Sequence, residues 1–87
     1  MEVIILKKYK KKPLIIKAIQ IRELFEKSDT DKITIGNYKV HKKDKYVIME
    51  TIEGNMKAYM NDFLIQGIVE EIYPCREDLF YKTYDIV

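Results

Sequence analysis

The chain has 87 residues, which suffice for one small domain because a separate hydrophobic core needs roughly 50 residues or more. A composition of 47% hydrophobic and 34% charged residues is typical of a soluble globular domain and excludes an intrinsically disordered chain. The single cysteine and the single histidine exclude an internal disulfide and a zinc site built from these two residue types.

The first residues combine a short apolar run with a cluster of lysines. Residues 3–6 are apolar and mostly β-branched, which predicts a strand over residues 2–6. The run is shorter than the apolar core of a signal peptide, and the lysines follow it instead of preceding it. No stretch approaches the roughly 20 apolar residues of a membrane span. We therefore expect a cytoplasmic protein without a membrane partner.

The next segment, "LIIKAIQI" at residues 14–21, predicts a second strand. Pro13 cannot donate a backbone hydrogen bond to a sheet, so it fits the first position of this strand. Both faces of the segment are mostly apolar, which predicts a strand covered on two sides. The hydrophobic period then changes, because Leu24 and Phe25 lie among charged residues and a polar run follows them. This pattern predicts a short helix near residues 22–28.

The middle of the chain predicts antiparallel hairpins. Gly36-Asn37 and Gly54-Asn55 are pairs that tolerate the positive φ of tight hairpin turns. Residues 47–51 are rich in β-forming side chains. After Gly54, apolar and polar residues alternate, as they do in a half-buried strand.

The C-terminal segment predicts two more strands with a bend near Gly67, and a short helix near residues 76–83 that follows Pro74. Residues 84–87 are expected to pair as an edge strand. Parallel units need longer crossovers than this chain offers. The prediction is therefore a single α+β domain over residues 1–87, with five to seven short strands in a mostly antiparallel sheet or partly closed barrel.

Cys75 is the one candidate nucleophile. It comes just before the predicted helix and beside Arg76, and both features lower the pKa of a thiol. Asp78 adds negative charge nearby, and the only imidazole, that of His41, is distant in sequence. A small buried residue that caps the helix is a sufficient account of Cys75. His41 is expected to be solvated unless it has a partner.

The acidic residues that come in pairs along the chain are expected to lie on the surface and not to act in acid–base catalysis. We predict no enzymatic activity, no metal site and no cofactor.

The two halves of the chain differ in charge. Residues 1–45 carry 13 basic and 6 acidic side chains, whereas residues 46–87 carry 3 basic and 8 acidic ones. Such a division either marks a basic face for an anionic partner or brings the halves together, within one fold or between two copies. Most charges on a small domain are simply solvated.

Two lysine clusters with neighbouring tyrosines are candidates for nucleic-acid binding, since lysines contact phosphates and tyrosines stack on unpaired bases. The isoelectric point of about 8.6 and the presence of only two arginines fall short of a dedicated nucleic-acid-binding domain. The candidate residues are Lys8, Tyr9, Lys10, Lys11 and Lys12 in the first cluster and Lys42, Lys43 and Lys45 in the second.

Both ends of the chain resemble a family of small, uncharacterised proteins of bacteriophages and prophages of Gram-positive bacteria. The matching pieces are "KKPLIIKAIQ" at residues 11–20, Gly54, Met56 and Ala58, "NDFLIQGI" at 61–68 and "EIYPCREDLFYKTY" at 71–84. The family pattern has Pro-Gly-Asp where this chain has Met60-Asn61-Asp62, and residues 22–53 do not align with it. The resemblance implies a viral or prophage gene expressed in a bacterial cytoplasm. It implies no activity.

The sequence thus predicts a small phage-type accessory protein that acts by binding. The expected partner is a host protein, such as an enzyme or a defence component, to which the divided charge would steer it. Nucleic-acid binding through the lysine–tyrosine clusters is the alternative, and an enzyme with Cys75 as nucleophile ranks last. A homodimer through an exposed strand edge is a further expectation.

Overall fold

The structure is a computed structural model that describes all 87 residues. Residues 1–16 form no helix or strand, and seven strands and two helices follow them. The elements in chain order are β1 (Lys17–Gln20), α1 (Ile21–Lys27), β2 (Lys32–Ile35), β3 (Tyr38–Lys42), β4 (Tyr46–Thr51), β5 (Gly54–Tyr59), β6 (Phe63–Gln66), β7 (Ile72–Cys75) and α2 (Glu77–Thr83).

All strand pairs are antiparallel, and the strands form two sheets. The three-stranded sheet has the order β1-β6-β7, and the four-stranded sheet has the order β2-β3-β4-β5. The predicted α+β class, the antiparallel pairing and both short helices are confirmed. The strands do not close into a barrel. β5 lies beside β7, so the two sheets meet along these strands.

The four-stranded sheet is a series of hairpins, and its turns are where the sequence predicts them. Gly36 has a φ of 57° in the turn between β2 and β3, and Gly54 has a φ of 123° at the end of the turn between β4 and β5. A side chain is strained at such angles, so glycine allows these tight reversals. Each hairpin then pairs neighbouring segments of the chain, so the entropy cost of closing the loop between them is small.

Three predicted strands differ from the structure. Residues 2–6 form no strand, although their composition favours one, because no neighbouring strand pairs with their backbone. The strand predicted at 14–21 is shorter, since its partner β6 ends at Gln66 and Ile21 already begins α1. Residues 84–87 also remain unpaired. Strand-forming side chains therefore do not make a strand without a partner for its hydrogen bonds.

The main core lies between the two sheets and α1. Eight buried side chains form it: Ile21, Leu24, Val40, Val47, Met49, Ala58, Leu64 and Ile72. They come from α1 and from both sheets, so the two halves of the chain share one apolar cluster. The spacing of Ile21 and Leu24 on α1 places both on one helix face, as the period of an amphipathic helix requires.

The opposite face of the three-stranded sheet packs against α2. Phe63 on β6 points away from the main core, because adjacent residues of a strand face opposite sides and Leu64 faces that core. The Phe63 ring stacks on Phe80 of α2 with 3.8 Å between the ring centroids, and the edge of Tyr81 contacts it as well. In addition, the Gln20 amide donates a hydrogen bond of 2.8 Å to Glu77 at the start of α2. These contacts hold the C-terminal helix on β1 and β6.

We predict that Phe80→Ala lowers the free energy of unfolding by about 2 kcal/mol, because the substitution removes the ring stacked on Phe63. Leu79→Ala on the same helix is the matched control, and it should cost less than about 1 kcal/mol since Leu79 is exposed. Urea denaturation followed by circular dichroism measures both values. Equal losses in the two variants would contradict the packing of α2 described above.

Candidate binding surfaces

The first surface is the segment of residues 1–16, which we call the N-terminal arm. Residues 1–15 are all exposed, and the side chains of Val3, Ile4, Ile5 and Leu6 are between 81% and 87% exposed. The radius of gyration is 15.4 Å, against about 12 Å for a compact chain of this length. Part of the chain therefore extends away from the folded body. A contiguous run of exposed apolar side chains is typical of an interaction site.

The sequence of the arm explains why it does not fold onto the domain. Residues 7–12 include five lysines, whose like charges repel one another and favour an extended chain. Pro13 follows them and cannot donate a hydrogen bond to a neighbouring strand. The apolar run at residues 3–6 is thereby separated from β1 by a segment that resists compaction.

A contact at Lys11 attaches the base of the arm to the C-terminal end of α2. The Lys11 ammonium donates a hydrogen bond of 3.0 Å to the Tyr84 hydroxyl and lies 4.9 Å from the centroid of that ring. The Tyr84 hydroxyl also interacts with the hydroxyl of Tyr73 on β7. Burial raises the pKa of the Tyr73 hydroxyl, and the interaction with Tyr84 raises it further. The base of the arm is thus close to β7, the outer strand of the three-stranded sheet on the side opposite β1.

Within the arm, the candidate nucleic-acid contacts are accessible. Lys8, Lys10 and Lys12 are exposed, and the Tyr9 ring is 87% exposed. Lys11 is also exposed, but its ammonium already contacts Tyr84. The arm therefore presents one free aromatic ring between free lysines.

The second lysine cluster lies at the hairpin between β3 and β4. Lys43 and Lys45 are exposed at its tip. Lys42 is half-buried: its ammonium donates a hydrogen bond to the Ser28 carbonyl and lies 5.3 Å from the centroid of the Phe25 ring. Lys42 therefore joins the hairpin to the end of α1, and only the other two lysines are free of such contacts.

The tyrosines near the hairpin are less accessible than Tyr9. Tyr38 packs against the main core, and Tyr46 is half-buried with its ring centroid 6.1 Å from that of Tyr59. The pairing of lysine with a free aromatic ring, which the sequence predicts in both clusters, is present in the arm alone.

His41 has a partner that the sequence does not reveal. Its Nε2 lies 2.6 Å from Oε2 of Glu50, because β3 and β4 are neighbours and the two side chains lie diagonally across the pair. The hydrogen bond with His41 is the main reason why the pKa of the Glu50 carboxyl lies below its ordinary value, and nearby lysines lower it further. Glu50 is thus the kind of partner that the expectation of a solvated histidine left open.

Cys75 does not cap α2. It is the last residue of β7, it is half-buried, and its thiol donates a hydrogen bond of 3.5 Å to the Arg76 carbonyl. The N-cap residue of α2 is Arg76, whose side chain makes no capping hydrogen bond. Arg76 instead forms an ion pair with Asp78 at 2.7 Å, and the hydrogen bond from Arg76 lowers the pKa of the Asp78 carboxyl. The imidazole of His41, bound to Glu50, is not the partner of this thiol.

A groove of about 930 Å³ lies between the β4–β5 hairpin, the turn between β2 and β3, and the segment that leads into β7. We call it the acidic groove. Its charged lining residues are Lys39, Glu50, Glu53, Glu70 and Glu71, so it has four carboxylates and one cation. The sequence does not predict the groove, because the carboxylates come from two segments that only the packing of the sheets brings together.

No group of three or more His, Cys, Asp or Glu side chains is arranged to hold a metal ion. Each helix has seven residues, too few to cross a membrane.

Comparison of the chain with protein-family models, curated proteins and solved structures found no match. The resemblance to small phage proteins therefore stays a prediction, and the structure itself is the basis for a functional proposal.

The pairing of His41 with Glu50 predicts a pH dependence. The folded state lowers the pKa of the Glu50 carboxyl below its ordinary value of 4.5. The contribution of the ionised carboxylate to the free energy of unfolding is therefore complete above that value and is lost as the pH falls through the folded pKa. We expect His41→Ala to move the pKa of the Glu50 carboxyl upwards, as measured by carboxyl-detected NMR titration.

Lys39→Ala serves as the control, because the charge of Lys39 lowers the pKa of Glu50 less than the hydrogen bond from His41 does. The upward shift should therefore be smaller in Lys39→Ala. A titration of Glu50 that His41→Ala leaves unchanged would show that the two side chains do not interact in solution.

Proposed function

We propose that this protein is a non-catalytic binding module whose N-terminal arm recognises a partner protein. The observation that supports the proposal most directly is the exposure of residues 3–6, where four consecutive apolar side chains are between 81% and 87% exposed. Burying one such side chain against a partner contributes roughly 1.5–3 kcal/mol. Part of that gain offsets the entropy lost when the arm becomes ordered.

The arm is suited to binding as an added strand. Val3, Ile4 and Ile5 are β-branched, and such side chains favour the extended conformation. In that conformation Val3 and Ile5 lie on one face and Ile4 and Leu6 on the other. A partner that offers a free sheet edge with apolar pockets on both sides would bind the backbone and the side chains together.

The lysines that follow the apolar run define the electrostatic character of the partner. Residues 7–12 place five positive charges next to the binding segment. They favour association with an acidic surface and increase the rate of encounter at low salt. The proposed partner is therefore a protein with an apolar strand-binding edge beside an acidic patch.

The resemblance of residues 11–20 and 54–84 to small phage and prophage proteins supports a biological context for this binding. We propose a phage-type accessory protein that works in the cytoplasm of a bacterial host. Its partner would be a host enzyme or a defence component, and binding of the arm would block a surface that the host protein needs.

Single-stranded nucleic acid is the second candidate partner. The observation that favours it is the exposed ring of Tyr9 between Lys8 and Lys10. A free aromatic ring can stack on an unpaired base while the neighbouring ammonium groups contact phosphates. Lys43 and Lys45 at the β3–β4 hairpin would add phosphate contacts.

To test protein binding, the wild-type chain is used to capture a partner from a lysate of a Gram-positive host, and the dominant protein is purified for titration calorimetry. The double variant Ile4→Asp/Ile5→Asp should weaken binding by at least about 100-fold, since two buried side chains contribute about 3 kcal/mol. Ile86→Asp is the control, because Ile86 is equally apolar and exposed but lies outside the arm.

The proposal is wrong if no dominant partner is recovered, or if both variants bind as the wild-type chain does. Circular dichroism of the variants establishes that each retains its fold. An effect of Ile86→Asp as large as that of the arm variant would assign the binding surface to the C-terminal end instead.

To test nucleic-acid binding, fluorescence anisotropy of a labelled single-stranded DNA is measured at low and moderate salt. Affinity should fall steeply between about 50 and 200 mM salt, since lysines that contact phosphates release counterions. Tyr9→Ala should weaken binding by roughly 5- to 100-fold through the loss of one stacked base. Tyr81→Ala, which removes an exposed ring from α2, should have little effect. No binding at low salt excludes this candidate.

A further inference from the structure

The acidic groove combines negative charge with exposed apolar side chains. Glu53 and Glu70 are exposed, whereas Glu50 is bound to His41 and Glu71 accepts a hydrogen bond from the Val69 backbone. The first two carboxylates are thus free to meet a cationic ligand. They line the groove from two different segments, one in the β4–β5 turn and the other in the segment that precedes β7.

The apolar side chains of the groove lie next to these carboxylates. Ile52 is fully exposed in the β4–β5 turn, and Val69 is 78% exposed in the segment that precedes β7. The half-buried Met56 of β5 contributes further apolar surface to the groove, whereas Ile72 beneath it belongs to the main core. The groove would therefore fit a segment that has both apolar and positively charged side chains.

The N-terminal arm is a segment of this kind. It carries five lysines and one carboxylate, and the exposed apolar run at residues 3–6 directly precedes the lysines. The charge of the arm is thus opposite to that of the groove. No residue of the arm is among those that line the groove of its own chain. The ten residues that precede Lys11 span up to about 33 Å when they are extended, which is enough to reach another molecule.

We propose that the acidic groove binds the N-terminal arm of a second copy of this chain. Because every copy has one arm and one groove, two copies can exchange their arms and form a closed, symmetric dimer. In each half of the dimer, lysines of one arm meet Glu53 and Glu70 of the other copy, and residues 3–6 cover Ile52 and Val69. The inference does not depend on a host partner, since a chain that binds no host protein would still self-associate.

Sedimentation velocity of the full chain tests the proposal. The wild-type chain should form dimers at about 50 mM salt and dissociate towards monomers at about 500 mM salt, because salt screens the contacts between lysines and carboxylates. The arm variant Lys8→Glu/Lys10→Glu and the groove variant Glu53→Lys/Glu70→Lys should each be monomeric at low salt. An equimolar mixture of these two variants should form a heterodimer, since the two carboxylates introduced into the arm then face the two ammonium groups introduced into the groove.

Charge reversals outside the two surfaces are the controls. Lys43→Glu/Lys45→Glu matches the arm variant, and Glu26→Lys/Asp29→Lys matches the groove variant. Both control proteins should dimerise as the wild-type chain does. Circular dichroism of the two test variants establishes that each retains its fold, so that a failure to associate cannot come from unfolding.

Three results would overturn the proposal. The first is a wild-type chain that remains monomeric at low salt, including the case in which the arm binds the groove of its own chain. The second is a dimer that persists in the arm variant or in the groove variant, which would assign the interface to other residues. The third is a mixture of the two variants that does not form a heterodimer.

Discussion

The middle position of β6 in the three-stranded sheet is the constraint on which the rest of the structure depends. This strand pairs with β1 on one side and with β7 on the other, and both of its faces are covered. Leu64 packs into the main core, whereas Phe63 stacks on Phe80 of α2. Because β1 follows the arm directly, the pairing of β1 with β6 also places the base of the arm near the C-terminal end of α2, where Lys11 contacts Tyr84.

The distribution of charge acquires a structural meaning in this fold. The basic residues of the first half are concentrated in the arm and at the β3–β4 hairpin, and four carboxylates line the acidic groove. The side chains that resemble catalytic groups are engaged in local contacts: His41 is bound to Glu50, and the thiol of Cys75 donates to a neighbouring carbonyl. The features that remain without a structural role are the exposed arm and the acidic groove, and for that reason a binding function is the one that we propose.

The predictions from sequence were accurate where local preferences decide the structure. The glycines at the hairpin turns, the hydrophobic period of Leu24 and Phe25, and the alternating strands depend on interactions between residues close in the chain. They were less accurate where a strand needs a distant partner. Residues 2–6 have strand-forming side chains but no neighbour, and Cys75 lies at the end of β7 and not at the N-cap of α2.

The sequence by itself thus determined the α+β class, the antiparallel pairing, both helices and the lysine-rich composition of the arm. Only the tertiary structure decided that the strands divide into two sheets, that Glu50 binds His41, and that the carboxylates of two distant segments form one groove. The physical reason is that turns and helices follow from the torsional preferences and hydrophobic spacing of adjacent residues. Grooves and side-chain pairs arise from the packing of segments far apart in the chain, and no short stretch of sequence encodes that packing.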